Sequence, residues 1–116
     1  MSVMSQGVNT FFSGESIVAT SFTYSDSEKC KAEEIVVQVG VPTLTATSLT
    51  YRIEGLFPSA TRWAEIYSEK VTAETTVDKL INITERVQYM RVGAKIVNVT
   101  ATPNNFYCSV NLTEYK

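Results

Sequence analysis

Histidine is absent from the 116-residue sequence, and cysteine, proline and tryptophan are rare, with two, three and one residues. Because histidine is the commonest general acid or base and the commonest metal ligand, its absence argues against most catalytic and transition-metal sites. Two distant cysteines, Cys30 and Cys108, cannot supply the usual four zinc ligands. We therefore expect no catalytic residue, no metal site and no cofactor, in a protein that is not an enzyme.

Strong charge and long apolar runs are also missing. The formal net charge is -2 and the ten Lys and Arg residues are scattered, so the sequence lacks a surface for nucleic acid. No window approaches the roughly 20 apolar residues of a membrane-spanning helix, and the N-terminus lacks the basic start and apolar core of a secretory signal. We expect a chain made in the cytoplasm that binds neither nucleic acid nor a membrane. Free thiols are then favoured over a Cys30–Cys108 disulfide, which stays open as an alternative.

Alternation of apolar and polar residues is the main structural signal in this chain. Leu49, Tyr51 and Ile53 alternate with polar neighbours, which is typical of a half-buried strand. Pro58 and Ser59 break the pattern, and Trp63 brings an apolar anchor into a returning strand. Residues 49–68 therefore predict a β-hairpin.

Similar alternation predicts further strands at residues 17–24, 35–41, 81–83, 90–96 and 106–113. After residue 96 the apolar phase slips to Val97 and Val99, which predicts a β-bulge or a change of sheet. No stretch shows a sustained helical period. The even spacing predicts an all-β fold, an antiparallel β-sandwich or jelly roll of seven to eight strands.

The N-terminal segment differs from the rest of the chain in composition. Residues 1–16 are rich in Ser, Gly, Asn and Gln, which predicts an extended N-terminal arm beside a single β-sandwich domain at residues 17–116. Two interpretations of Phe11 and Phe12 stay open. The rings fill the protein's own core, or they dock with Val8 on another subunit.

Two surface features allow other functions. Trp63, Tyr67 and Tyr107 are candidates for stacking on sugar rings, although a single tryptophan in a sandwich is more often in the core. Asn82, Asn98 and Asn111 each begin an Asn-x-Thr triplet that accepts glycans in a secretory pathway. The polar face of a Thr-rich strand produces such triplets equally well.

Three segments carry a resemblance to a known family: Leu49-Thr-Tyr-Arg-Ile-Glu-Gly, Arg62-Trp-Ala-Glu-Ile and Val87-Gln-Tyr-Met-Arg-Val-Gly. Over about residues 35–115 the chain resembles small virion proteins of tailed bacteriophages, especially β-sandwich head decoration (cement) proteins. The resemblance implies a non-enzymatic virion protein on the capsid surface. It would bind the major capsid protein, stabilise contacts between capsid subunits and form a homo-oligomer, a trimer or dimer.

On this resemblance, the N-terminal arm with Val8, Phe11 and Phe12 touches a neighbour, and its deletion leaves the fold intact. An alternative function is a phage tail or fibre module that binds host surface glycans through Trp63, Tyr67 and Tyr107. A third is a secreted immunoglobulin-like glycoprotein domain, in which the Asn-x-Thr triplets and the cysteine pair would be functional.

Overall fold

The computed structural model describes residues 4–30, 32–57, 61–73 and 76–115. Within these ranges the chain forms nine β-strands and no helix, which confirms the predicted all-β class. The strands are β1 (Met4–Ser16), β2 (Thr23–Tyr24), β3 (Glu28–Lys29), β4 (Glu34–Val41), β5 (Ala46–Leu56), β6 (Ala64–Thr72), β7 (Val77–Ile83), β8 (Tyr89–Val99) and β9 (Asn105–Tyr115). The predicted turn at Pro58 and Ser59 lies outside the described residues, as do the first three residues of the predicted arm.

The strands form two antiparallel sheets. Sheet I has the order β1-β9-β4-β7, and sheet II has the order β2-β8-β5-β6, with β3 also paired to β8. The paired strands are progressively closer in sequence: β1 pairs with β9, β2 and β3 with β8, β4 with β7, and β5 with β6. These are the pairs of one long hairpin that folds over into two sheets. The pairs β4·β9 and β5·β8 then join its two halves. This connectivity is a jelly roll, one of the two predicted architectures.

The core lies between the sheets because alternate side chains of each long strand point inward. Tyr51, Phe106, Leu49, Ile53 and Met90 are the largest of its fully buried side chains. The inward positions that alternation predicts for Leu49, Tyr51 and Ile53 in the hairpin are confirmed by this burial. The outer faces of both sheets are left for other contacts.

The two cysteines are both buried and free, so the disulfide alternative is wrong. Cys30 lies beside β3, where its thiol donates to the Glu28 carbonyl oxygen over 3.4 Å. Desolvation by burial, helped by Glu28, raises the pKa of Cys30 to about 11. Burial in the core raises the pKa of Cys108 to about 12. Both thiols are therefore protonated near neutral pH.

The segment predicted as an arm is the edge strand β1. Met4–Ser16 pairs with β9, so it belongs to the sandwich instead of standing apart from it. A register shift between Thr10 and Phe12 lets both Phe11 and Phe12 face the core, at 8% and 7% exposure. The Phe12 ring meets Phe106 edge-on at 5.1 Å. Because β1 covers the core in this way, its deletion is expected to destabilise the fold, contrary to the expectation from the resemblance.

Two other strand predictions are wrong. Of the predicted strand at residues 17–24, only Thr23–Tyr24 forms a strand. The predicted bulge or change of sheet after residue 96 is also not seen in the pairing: β8 stays in sheet II and keeps its register with β5 at Val97 and Val99, with Asn98 between them at a φ of 53°. Val97 and Val99 continue the outward positions of Arg91 and Lys95 on β8, and they are 38% and 39% exposed. The change of apolar phase therefore reflects two valines on the outer face of sheet II.

Candidate protein-binding site

The outer face of sheet II collects side chains from four strands. Arg52 and Glu54 alternate with the buried Tyr51 and Ile53 on β5, so they point away from the core. The register places Glu54 opposite Arg91 of β8. We call the resulting cluster the aromatic–arginine face; it consists of Phe22, Tyr24, Arg52, Glu54, Trp63, Glu65, Arg91 and Lys95.

Glu54 is the centre of the aromatic–arginine face. Although it points outward, Glu54 is only 5% exposed. Arg91 Nε donates to Glu54 Oε1 over 2.8 Å, and Tyr24 Oη donates to Oε2 over 3.3 Å. Arg52 Nη1 also reaches Oε2, at 3.5 Å. A buried carboxylate requires such compensation, and Arg91 provides the strongest part of it through a short, charge-assisted hydrogen bond.

The cations of this face lie over its aromatic rings. Arg91 Cζ is 4.0 Å from the centre of the Tyr24 ring and 4.5 Å from that of Trp63. Arg52 Cζ and Lys95 Nζ lie 4.5 Å and 4.9 Å from the centre of the Phe22 ring. Cation–π contacts of this kind contribute about 0.5–1 kcal/mol each at exposed sites. They hold large, rigid side chains in fixed positions on the surface.

Gly93 lets the rings of this face lie directly on the backbone of β8. A β-carbon at this position would lie 2.6 Å from Tyr24 Cε1 and 3.3 Å from Phe22 Cδ1. Real side chains essentially never approach as closely as the first of these distances. The absence of a side chain at Gly93 therefore determines where Tyr24 packs.

Arg52 makes a charge contact without a hydrogen bond at its Nε atom. Nε lies 3.0 Å from Glu65 Oε1, within the range of an ion pair, yet the buried N–H finds no acceptor in hydrogen-bonding geometry. We regard the contact as Coulombic, because its distance is short and its direction is poor. Burial lowers the pKa of Arg52, but Tyr24 and the carboxylates of Glu65 and Glu54 raise it more, and the net direction is upward.

The aromatic and arginine side chains of this face favour contact with another protein. Trp, Tyr and Arg are the residues most enriched among the few that dominate binding energy in protein interfaces. Tyr24 is 37% exposed, and the side chains of Arg52 and Arg91 are 34% and 27% exposed, so a partner can reach them. Across the described part of the chain, no three His, Cys, Asp or Glu residues form a group able to hold a metal ion.

The three residues predicted to stack on sugars do not form one surface. Trp63 belongs to the aromatic–arginine face. Tyr67 packs 6.1 Å from the ring of Tyr51, and its hydroxyl accepts from Lys79 Nζ over 2.6 Å. Tyr107 is 44% exposed on β9 in the other sheet. Sugar binding by any of them individually stays a prediction.

Tyr67 takes part in a polar network that joins the two sheets. Lys79 of β7 donates to Tyr67 and, over 3.1 Å, to Glu69 Oε2, both on β6. Tyr51 Oη donates to Glu69 Oε1 over 2.8 Å. Burial, then the hydrogen bond to Glu69, raises the pKa of Tyr51. This network stabilises the side of the sandwich where β6 and β7 are the edge strands.

Of the predicted partner-binding residues, only Val8 offers an accessible side chain. Val8 is 68% exposed, whereas Phe11 and Phe12 are in the core. Sequence reasoning missed Phe22, Tyr24, Glu54 and Arg91 as a group. No pattern in the sequence marks them, because they meet only through the order of strands in sheet II.

Within the described residues, no helix is both long and apolar enough to cross a membrane. Neither a protein-family model nor a curated protein matches the chain. Solved structures do share its fold. VP2 of infectious bursal disease virus, in a subviral particle, is 9% identical with a TM-score of 0.58, over 97% of this chain and 32% of VP2.

Two further structures match over nearly their whole length. YomS, derived from the SPBc2 prophage, is 12% identical with a TM-score of 0.52, over 97% of this chain and 96% of YomS. PirA is 15% identical with a TM-score of 0.51, over 96% of this chain and 93% of PirA. At these identities the three structures establish a common fold only, and the chain spans about a third of VP2.

Proposed function

We propose that this chain is a non-enzymatic structural protein of a virus particle. It binds the outer surface of the capsid and stabilises contacts between major capsid subunits. The observation that carries the proposal is the jelly roll, which the chain shares with VP2 in a subviral particle and with a prophage-derived protein. The fold alone does not specify function, so the proposed contact with the capsid needs a binding surface on this chain to support it.

The aromatic–arginine face is the surface that we assign to the major capsid protein. Its rings and guanidinium groups are held in place by Glu54 and by each other, so they lose little conformational entropy on binding. Truncation of a hot-spot residue, of which Trp, Tyr and Arg are the commonest, costs about 2 kcal/mol or more, which is roughly 30-fold in affinity. Many copies on a symmetric lattice, or a homo-oligomer that binds several subunits, strengthen a modest contact by multivalency.

The first experiment asks whether the chain is part of a particle. Particles are purified on density gradients from the source of this sequence, and their proteins are quantified by mass spectrometry. A fixed stoichiometry between this chain and the major capsid protein supports the proposal. Its absence from intact particles refutes it.

The second experiment tests the face. Trp63→Ala is compared with Tyr107→Ala, which removes an aromatic side chain from the other sheet. Both purified variants are added back to capsids that lack the chain, after circular dichroism has shown that each is folded. We expect Trp63→Ala to lower occupancy about 30-fold at subsaturating concentration and Tyr107→Ala to leave it unchanged. Equal occupancy of the two variants refutes the assignment of the face.

A further inference from the structure

Among the described residues, no strand pairs with the outer edge of β1. β1 is the first strand of sheet I, and among the described strands only β9 pairs with it. From Met4 to Gly14 the sequence contains no charged residue and no proline. An edge of this kind presents unpaired backbone N–H and C=O groups, and proteins normally protect it with charges, proline or bulges.

The other edge strands carry such protection. β7 has Asp78 and Lys79 in its seven residues, and β6 has Glu65, Glu69 and Lys70 in its nine. β2 and β3 are two residues long. Among the described strands, β1 is therefore the long edge without charges over most of its length.

The first half of β1 also has regular geometry. Its pairing with β9 runs without interruption from Met4 to Thr10, and both register shifts lie between Thr10 and Glu15. Bulges twist an edge away from a new strand, so the regular half is the part that can accept one. Val8 lies in this half and is 68% exposed, among the most exposed large apolar side chains of the described chain.

We propose that two copies of this chain pair antiparallel along β1, about a two-fold axis at Val8. In this register Gln6 lies opposite Thr10 of the second copy, Gly7 lies opposite Asn9, and the two Val8 side chains face each other. Every opposed pair is uncharged, and each valine covers the other on the same face. Two four-stranded sheets become one continuous sheet, and the pairing does not depend on the virion role.

A second copy fits this edge better than an unrelated strand because the segment is self-complementary. A two-fold axis brings the same stretch of chain against itself in the antiparallel sense, and such closed dimers are the commonest oligomers. β6 and β7 carry charges along their edges, a device that proteins use against pairing with a further strand. The partner is therefore this chain itself.

A cysteine cross-link tests the register. Val8→Cys is compared with Leu80→Cys, because Leu80 is also 68% exposed and lies on the opposite edge strand of sheet I. Cβ atoms of directly opposed residues are about 4.5–5.5 Å apart, close to the separation that a disulfide requires. Both native thiols are buried and contribute little background. Under mild oxidation we expect a covalent dimer of Val8→Cys to form about tenfold faster or more than one of Leu80→Cys.

Sedimentation equilibrium tests the association itself. We expect Val8→Lys to weaken dimer formation about tenfold or more, because it places like charges directly opposite each other. Leu80→Lys should leave the dimer unchanged, and the exposure of both sites means that both variants stay folded. A wild-type chain that stays monomeric up to millimolar concentration overturns the proposal, as do equal cross-linking rates for the two cysteine variants.

Discussion

The buried carboxylate of Glu54 gives the sharpest test of the aromatic–arginine face. Its hydrogen bond from Arg91 at 2.8 Å is charge-assisted, and such bonds contribute about 1.5–3 kcal/mol. The contacts from Tyr24 at 3.3 Å and Arg52 at 3.5 Å are longer and add less. The Arg91 and Arg52 side chains are 27% and 34% exposed, so water partly solvates their guanidinium groups when the Glu54 carboxylate is removed. The loss in free energy of unfolding therefore falls below the roughly 3–5 kcal/mol that breaking a fully buried ion pair costs.

We expect Glu54→Ala to lower the free energy of unfolding by about 2–3 kcal/mol and Glu54→Gln by about 1–2 kcal/mol. Urea denaturation, monitored by the fluorescence of Trp63, measures both free-energy changes. Glu65→Gln is the matched control, because it removes a contact to Arg52 from a side chain that is 49% exposed. A surface pair of this kind contributes at most about 0.5 kcal/mol here.

A double-mutant cycle between Glu54→Ala and Arg91→Ala isolates the pair from the packing of each side chain. We expect a coupling energy of about 1–2 kcal/mol. The reasoning is refuted if Glu54→Gln costs no more than Glu65→Gln, or if the cycle gives no coupling. In either case the rings, and not the buried ion pair, organise the face.

Three further predictions concern the core and β1. Gly14→Ala should lower the free energy of unfolding by about 1–3 kcal/mol, because Gly14 has a φ of +95° and a β-carbon there would lie 2.7 Å from the Tyr107 ring. Gly7→Ala is the control, because Gly7 lies on the same strand and has open space around it. Equal midpoints of urea denaturation for the two variants would contradict this prediction. Phe12→Ala should cost about 3–5 kcal/mol by the same measurement, and a loss below about 1 kcal/mol would show that the ring does not fill the core. The free energy of unfolding should fall as the pH rises above about 9, because the pKa values of the Cys30 and Cys108 thiols are raised from 9.0 to about 11 and about 12 in the folded chain. The unfolded chain therefore loses these protons first. Unfolding at pH 8 and pH 10.5 and thiol titration of the native protein check this, and rapid native reaction would contradict it.

Alternation predicted β4 and β5 well, because the inner face of each is buried along most of its length. The strand expected at residues 35–41 is β4 at Glu34–Val41, and the expected hairpin is the β5·β6 pair. Burial of one face makes the period of two visible in a single sequence. The apolar side chains of residues 17–24 do not mark the inner face of a strand. Ile17 packs in the core while its N–H donates to the Asn104 carbonyl oxygen over 2.9 Å, outside any strand.

The candidate site was not predictable in the same way. Glu54 points outward as expected, but neighbouring side chains cover it. Its partners Tyr24 and Arg91 are distant in sequence and meet it only because β2, β8 and β5 are neighbours in sheet II. Strand order depends on how the whole chain folds, so no local pattern carries it. The burial of both Phe11 and Phe12 likewise depends on a bulge that the sequence does not reveal.

The pairing of the first and last strands has a mechanical consequence. Met4 lies opposite Tyr115, so anything attached before β1 or after β9 leaves from the same pole of the sandwich. A force applied between these two ends separates the antiparallel strands from that end, so their perpendicular hydrogen bonds break one after another instead of all together. The sandwich should therefore open at low force when it is stretched by its ends, and a load-bearing attachment would have to act through its faces.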